Sequence, residues 1–203
     1  MAEKEKNDQR VRMTKKMLRS ALIELLQKKP LQSITVKELC SHAGINRGTF
    51  YSHYYDIYDL MEKIENEMFS ELQEALSNYP LADTSSSVSN PLSIYSAVFA
   101  ILSENYDMCA ILLGENCDKS FIDKVISFGK EKCLEQYQEL YPSVNRRDIE
   151  FFYAFVASGY LATLRLWLEG GRKEPVSEMA KKTEKIILGS VRFLEDAAKN
   201  TEK

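Results

Sequence analysis

Segment 34–50, ITVKELCSHAGINRGTF, limits the fold more tightly than any other part of the chain. Thr35 followed by Glu38 is a capping-box pattern, in which the hydroxyl accepts from an early helix amide and the carboxylate reaches back to the cap. A short helix from Val36 to about His42 should follow. Gly44 then suits the left-handed backbone that ends a helix without a Cβ penalty, and Asn46 can cap a third helix. Leu39 and Ala43 before the turn, with Ile45, Phe50 and Tyr54 after it, can close one small core between two helices. No strand-like alternation intervenes, so the local solution is a helix-turn-helix.

The helix before it is set by Leu18, Ala21, Leu22, Leu25 and Leu26 at 3.6-residue spacing, and Pro30 disfavours helix at Lys29. Charge is distributed to match. The whole chain has a formal net charge of only -3, but nine of its Lys and Arg residues fall within 10–55 against two carboxylates there, Glu24 and Glu38. A basic module on an acidic body attracts a polyanion at one end and repels it elsewhere. Arg47 and Tyr51 lie one turn apart, as do Thr49 and His53, so polar groups flank the apolar positions of the third helix. Asn46, Arg47 and Thr49 at its start can meet base edges in a major groove, where Arg pairs with guanine. Tyr and His groups suit phosphate oxygens. The same spacing fits the solvated ends of a generic helical hairpin, and spacing alone leaves both open.

The stretch ITVKELCSHAGINRGTFYSHYYDIYDLM resembles the N-terminal domain of the TetR/AcrR transcriptional regulators. Thr35, Leu39, Ala43, Gly44, Ile45, Gly48, Thr49, Phe50, Tyr51 and His53 match its signature, with Tyr54 in place of the usual Phe. The resemblance implies an all-α chain: a three-helix DNA-binding domain over 8–56, then a long fourth helix leading into a helical effector and dimerisation domain over 57–203. It also implies that Thr35 and Lys37 meet phosphates or groove edges, that Asn46, Arg47, Gly48 and Thr49 face bases, and that Tyr51 and His53 grip the backbone, Tyr54 being counted in the same DNA-binding set. One position departs. The family often carries a lysine at the start of the fourth helix, where this chain has Ile57, so affinity must lean on Lys15, Lys16, Lys37 or the helix amides behind Asp56.

Ile57, Leu60, Met61, Ile64, Met68, Leu72 and Leu76 make the apolar stripe of that fourth helix. A Ser-, Pro- and Asn-rich loop is expected over 77–91, then a helix containing Ile94, Tyr95, Val98 and Phe99, and further helices near 107–113, 120–140 and 147–168. The last helix repeats apolar residues from Val176 to Leu194, a stripe that serves equally as core or as a seam between copies. The family resemblance implies the seam, a two-fold dimer through Phe152, Gly159, Met179, Thr183, Ile186, Ile187, Ser190, Val191 and Leu194. A weaker similarity of the C-terminal part points to the subgroup that includes regulators of dihydroxyacetone utilisation. Tyr95, Phe99, Met108, Phe128, Phe155, Tyr160 and Trp167 supply rings and a flexible side chain for a small-molecule cavity, although the same residues could simply fill a core.

Several function classes drop out. No phosphate-binding glycine loop, zincin motif or nucleophile elbow is present, so no enzyme activity is expected. The charged N-terminus predicts no export. The apolar run 151–164, broken by Ser158 and Gly159, falls short of the roughly 18 residues of a membrane span, so no membrane partner is expected. Cys40, Cys109, Cys117 and Cys133 form no C-x-x-C pair and read as reduced thiols, with no metal or cofactor. The expectation is a cytoplasmic homodimeric regulator, a repressor in preference to an activator, binding a near-palindromic double-stranded operator and controlled by a small-molecule effector or a protein partner. The alternatives are a regulator or coactivator governed by a protein partner, and a helical interaction module without operator binding.

Overall fold

A computed structural model describes residues 2–78, 98–101, 103–113 and 120–201. Every regular element among them is helical: α1 (Ala2–Leu26), one 3-10 turn (Leu31–Ser33), α2 (Val36–Ala43), α3 (Arg47–Tyr51), α4 (Ile57–Asn78), α5 (Tyr106–Leu112), α6 (Ser120–Leu140), α7 (Arg146–Glu169) and α8 (Val176–Thr201). The all-α expectation holds. Two units, Met1–Met68 and Phe69–Lys203, divide the chain inside α4.

In the first unit the local signals act as chemistry requires. Thr35 Oγ1 accepts from the Glu38 amide at 3.2 Å, and the Glu38 carboxylate receives the Lys29 ammonium. Gly44 adopts φ 66°, ψ 27°, and the Ile45 amide reaches back to the Cys40 carbonyl at 2.9 Å. A Cβ at Gly44 would meet nothing within 4 Å, so the backbone angle and not crowding selects glycine here. The core joins all four helices of the unit through Leu18, Leu22, Leu39, Phe50 and Leu60, each 0% exposed. Complete burial of a side chain such as Phe50 contributes about 1.5–3 kcal/mol, far more than a five-residue helix can supply by itself.

In the second unit α7 packs against α5, α6 and α8. Cys133, Leu134, Tyr137, Ile149, Phe152, Ile187 and Leu194 form its core cluster. The turn between α7 and α8 carries two left-handed residues, Gly171 (φ 78°) and Arg172 (φ 55°). It is held by the Trp167 indole donating to the Glu174 carbonyl at 2.9 Å and by the Arg172 guanidinium 3.6 Å from the centre of the Tyr106 ring.

The stripe assigned to a seam between copies splits in two. Phe152, Met179, Thr183, Ile187 and Leu194 are buried within the protomer, and Val191 packs half-buried against the same core. They are core because α7 and α8 cover each other along that line. Ile186 remains 62% exposed, and Gly159 is exposed with open space around it. The apolar residues left outside are Phe151, Phe155 and Leu166 on α7 and Ile186, Leu188 and Phe193 on α8.

Helix α7 is longer than the apolar run suggested. By length and composition alone it could cross a membrane. Its Ile149, Phe152, Leu164, Trp167 and Leu168 nonetheless face protein, the one-sided pattern of a helix on a core. Cys40, Cys109 and Cys133 are buried on α2, α5 and α6, and burial pushes the Cys133 thiol up to about 12. Cys117 lies outside the described residues.

Candidate nucleic-acid interface

The start of α3 presents Asn46, Arg47 and Gly48 exposed and Thr49 half-buried. Asn46 Oδ1 accepts from the Gly48 amide at 2.8 Å. One lone pair of that oxygen serves the cap, which fixes the side chain's direction and leaves its NH2 to meet a base edge. A Cβ on Gly48 would touch only Asn46 Oδ1, at 3.4 Å. The fold itself therefore does not crowd this position.

Thr35 and Lys37 open α2 and are exposed. Tyr51 is 59% exposed, its ring set edge-on to Phe50 with centroids 5.4 Å apart, and His53 is half-buried. Tyr54 departs from the expected DNA-binding set. It is 6% exposed, its ring packed on Phe50 at 5.6 Å and near His53 at 6.3 Å. Burial pushes its phenol up, with Glu67 and Asp59 adding to the effect. It is a core residue, as the Phe it replaces would be.

The connection from α3 to α4 is closed by side chains that the sequence reading passed over. Asp56 Oδ1 accepts from the Asp59 amide at 2.8 Å, and Asp59 Oδ2 accepts from the Tyr55 amide at 2.8 Å. The Asp59 amide at the start of α4 therefore already has its acceptor in Asp56, which narrows the expected phosphate amides behind Asp56 to those of Ile57 and Tyr58. Ile57 is buried at 4% exposure and belongs to the core. Lys63 donates to Asp59 Oδ2 at 2.9 Å and to the His53 carbonyl at 3.1 Å. The i,i+4 spacing of Asp59 and Lys63 was visible in the sequence, but their reach back to the turn was not. Tyr55 and Tyr58, 85% and 56% exposed, are two further rings beside this face.

Electrostatics favour an anion. Both carboxylates of the basic stretch are engaged: Glu24 meets His42 at 2.6 Å, and Glu38 holds Lys29, whose hydrogen bond keeps the Glu38 carboxyl below its usual range. Among the described residues Lys37 and Arg47 form no ion pair. Both charges face solvent.

Of the residues expected to line a cavity, Phe99, Tyr160 and Trp167 come together and Phe155 does not join them. Tyr95 lies outside the described residues. Phe99 is fully buried and meets Tyr160 at 5.4 Å and Trp167 at 5.7 Å, both edge-on. Met108 is buried, and Phe128 packs on Phe69 at 5.7 Å. Phe155 is 72% exposed and lines no interior space of this protomer.

Both parts of the chain match known families. Residues 18–64 match the family described as bacterial regulatory proteins, tetR family, and residues 89–189 match a transcriptional regulator C-terminal region. The chain is 34% identical over 59 residues to an uncharacterized HTH-type transcriptional regulator, YxbF, of Bacillus subtilis (strain 168), a match covering 29% of this chain and only 16% of that protein. Its fold is similar to that of the fatty acid degradation regulator FadR from Bacillus halodurans (TM-score 0.66, 14% identity, 88% and 96% of the two chains). It is also similar to that of the dihydroxyacetone kinase operon activator DhaS (TM-score 0.56, 18% identity, 88% and 96%). At these identities the two structures speak for the fold alone.

Proposed function

The chain belongs to the TetR family of bacterial regulatory proteins, and on that premise we propose that it is a cytoplasmic, dimeric transcriptional repressor that binds a near-palindromic operator and answers an effector through its C-terminal unit. The observation that carries the reading is the exposed row Asn46, Arg47 and Gly48 at the start of α3, with Arg47 and Lys37 unclaimed by any carboxylate among the described residues. Arg47 reads a guanine and Thr49 offers a methyl to the groove, while Asn46 contributes one donor. Thr35, Lys37, Tyr51 and His53 hold phosphates and set the register without reading sequence.

Dimerisation is assigned to the outer face of α7 and α8. Phe151, Phe155, Ile186 and Phe193 are exposed on two consecutive helices that pack on each other. Gly159 and Gly189 on the same helices have no atom within 4 Å of where a Cβ would stand, which lets a second backbone approach. A two-fold axis through such a seam presents two copies of α3 to two half-sites.

The effector is assigned to the region of Phe99, Met108, Phe128, Tyr160 and Trp167. A second reading, control by a protein partner, has in its favour the close edge-on packing of Phe99 with Tyr160 and Trp167, which leaves these rings filling one another's space.

A mobility-shift titration on the duplex upstream of the chain's own coding region tests the DNA assignment. Arg47→Ala should cost roughly 1–3 kcal/mol on the preferred site and flatten discrimination between site variants. Lys37→Ala should weaken all duplexes alike and reduce the salt slope by about 0.9 per head. Uniform weakening by Arg47→Ala with discrimination intact would overturn the base-reading role.

A further inference from the structure

Helix α3 has only five residues, too few to be stable or to hold a direction by its own hydrogen bonds. Its orientation must come from what its two ends are tied to. At the front end are the Gly44 turn and the Asn46 cap. At the back end the chain runs through residues 52–56 before α4 begins, and one ion pair on α4 reaches that connection at three successive residues. The Lys63 ammonium donates to the His53 carbonyl at 3.1 Å and lies 5.1 Å from the centre of the Tyr54 ring. Its partner Asp59, 2.9 Å away, takes the Tyr55 amide on the same oxygen at 2.8 Å.

We propose that Lys63 and Asp59 are positioning residues for DNA recognition: together they fix residues 53–55, and with them the Tyr51 and His53 side of α3, without touching the duplex. The inference rests on the reading of α3 as the DNA-contacting helix. Its physical basis is that charge-assisted hydrogen bonds to main-chain groups are directional and about twice as strong as neutral ones. Two such bonds replace what a longer helix would supply through its own ladder. The Lys63 hydrogen bond, and then the Tyr55 amide, hold the Asp59 carboxyl below its usual range, so the brace persists throughout the neutral region. Lys63 is 48% exposed, so the competing explanation is a direct phosphate contact by its remaining N–H.

The two explanations predict opposite signs for Asp59. If Lys63 contacts phosphate, Asp59→Asn removes a negative charge beside a polyanion and strengthens binding. If the pair is a brace, Asp59→Asn weakens it. The full-length protein is titrated onto the duplex upstream of its own coding region, with poly(dI-dC) as competitor, at several salt concentrations. Lys63→Met keeps a side chain of similar length and removes both hydrogen bonds. It should lower affinity about tenfold, the order of one charge-assisted hydrogen bond, with an unchanged salt slope. Asp59→Asn should do the same, the double variant should lose no more than either single one, and Lys63→Arg should restore most of the affinity. Thermal melts followed by circular dichroism separate this from unfolding, since the brace predicts weaker DNA binding by variants that remain fully helical at the assay temperature. A salt slope reduced by about 0.9 in Lys63→Met, tighter binding by Asp59→Asn, or additive losses would overturn the proposal. A wild-type protein that shifts no duplex would instead remove the DNA reading itself, and the positioning role with it.

Discussion

Phe155 and Ile187 lie on neighbouring helices and look interchangeable as apolar positions, but they should fail in different ways. Phe155 leaves 72% of its surface exposed and Ile187 only 5%. Full burial of a Phe side chain is worth about 1.5–3 kcal/mol, so covering the exposed fraction on association is worth roughly 1–2 kcal/mol per ring. A two-fold interface covers the ring twice. Phe155→Ala should therefore remove roughly 2–4 kcal/mol of association free energy and raise the dimer Kd about 30- to 800-fold. Folding of the protomer should change by no more than about 0.5 kcal/mol, as for other exposed substitutions. Ile187 sits in the cluster with Phe152 and Leu194, so Ile187→Ala should cost about 2–5 kcal/mol of folding stability through lost burial and the cavity left behind. Sedimentation equilibrium over a dilution series measures the first effect. Urea unfolding measures the second, and is best done on a Phe155→Glu background, which the outer-face seam predicts to be monomeric so that dissociation does not contaminate the stability. A Phe155→Ala protein with an unaltered Kd would refute the outer-face seam, as would an Ile187→Ala protein that dissociates without losing stability.

Gly44→Ala should destabilise the first unit by about 1–2 kcal/mol, the cost of a left-handed φ for a residue with a Cβ, with Gly44→Asn milder; chemical denaturation in which alanine is neutral would show that φ does not select glycine there. Trp167 is the chain's single tryptophan and touches Phe99, so a compound that releases the protein from DNA by entering between these rings should change its fluorescence. By linkage, DNA must weaken that compound's binding by the same factor, and an affinity indifferent to DNA would exclude the compound as the switch.

What the sequence determined by itself was local. Thr35 with Glu38, Gly44 and Asn46 specify two helix starts and a left-handed stop from contacts two to five residues apart, and such contacts are written in nearby letters. The periodic stripes of α1 and α4 announced their buried faces for the same reason, since one apolar side on a helix has one place to go. Only the tertiary structure decided between apolar sides where a helix has two. Ile186 and Ile187 are adjacent letters about 100° apart around α8; α7 covers Ile187 and leaves Ile186 in the open, and no periodicity distinguishes a side met by the same chain from one left for another copy. Tyr54 was different: its spacing from Phe50 already read as core, and the structure decided for that reading over its place in the DNA-binding set implied by the resemblance. The Lys63 brace was hidden from the sequence, because a lysine's partner ten residues back is set by the angle at which α4 leaves the turn, and that angle is fixed by burial of Ile57, Leu60 and Phe50 together.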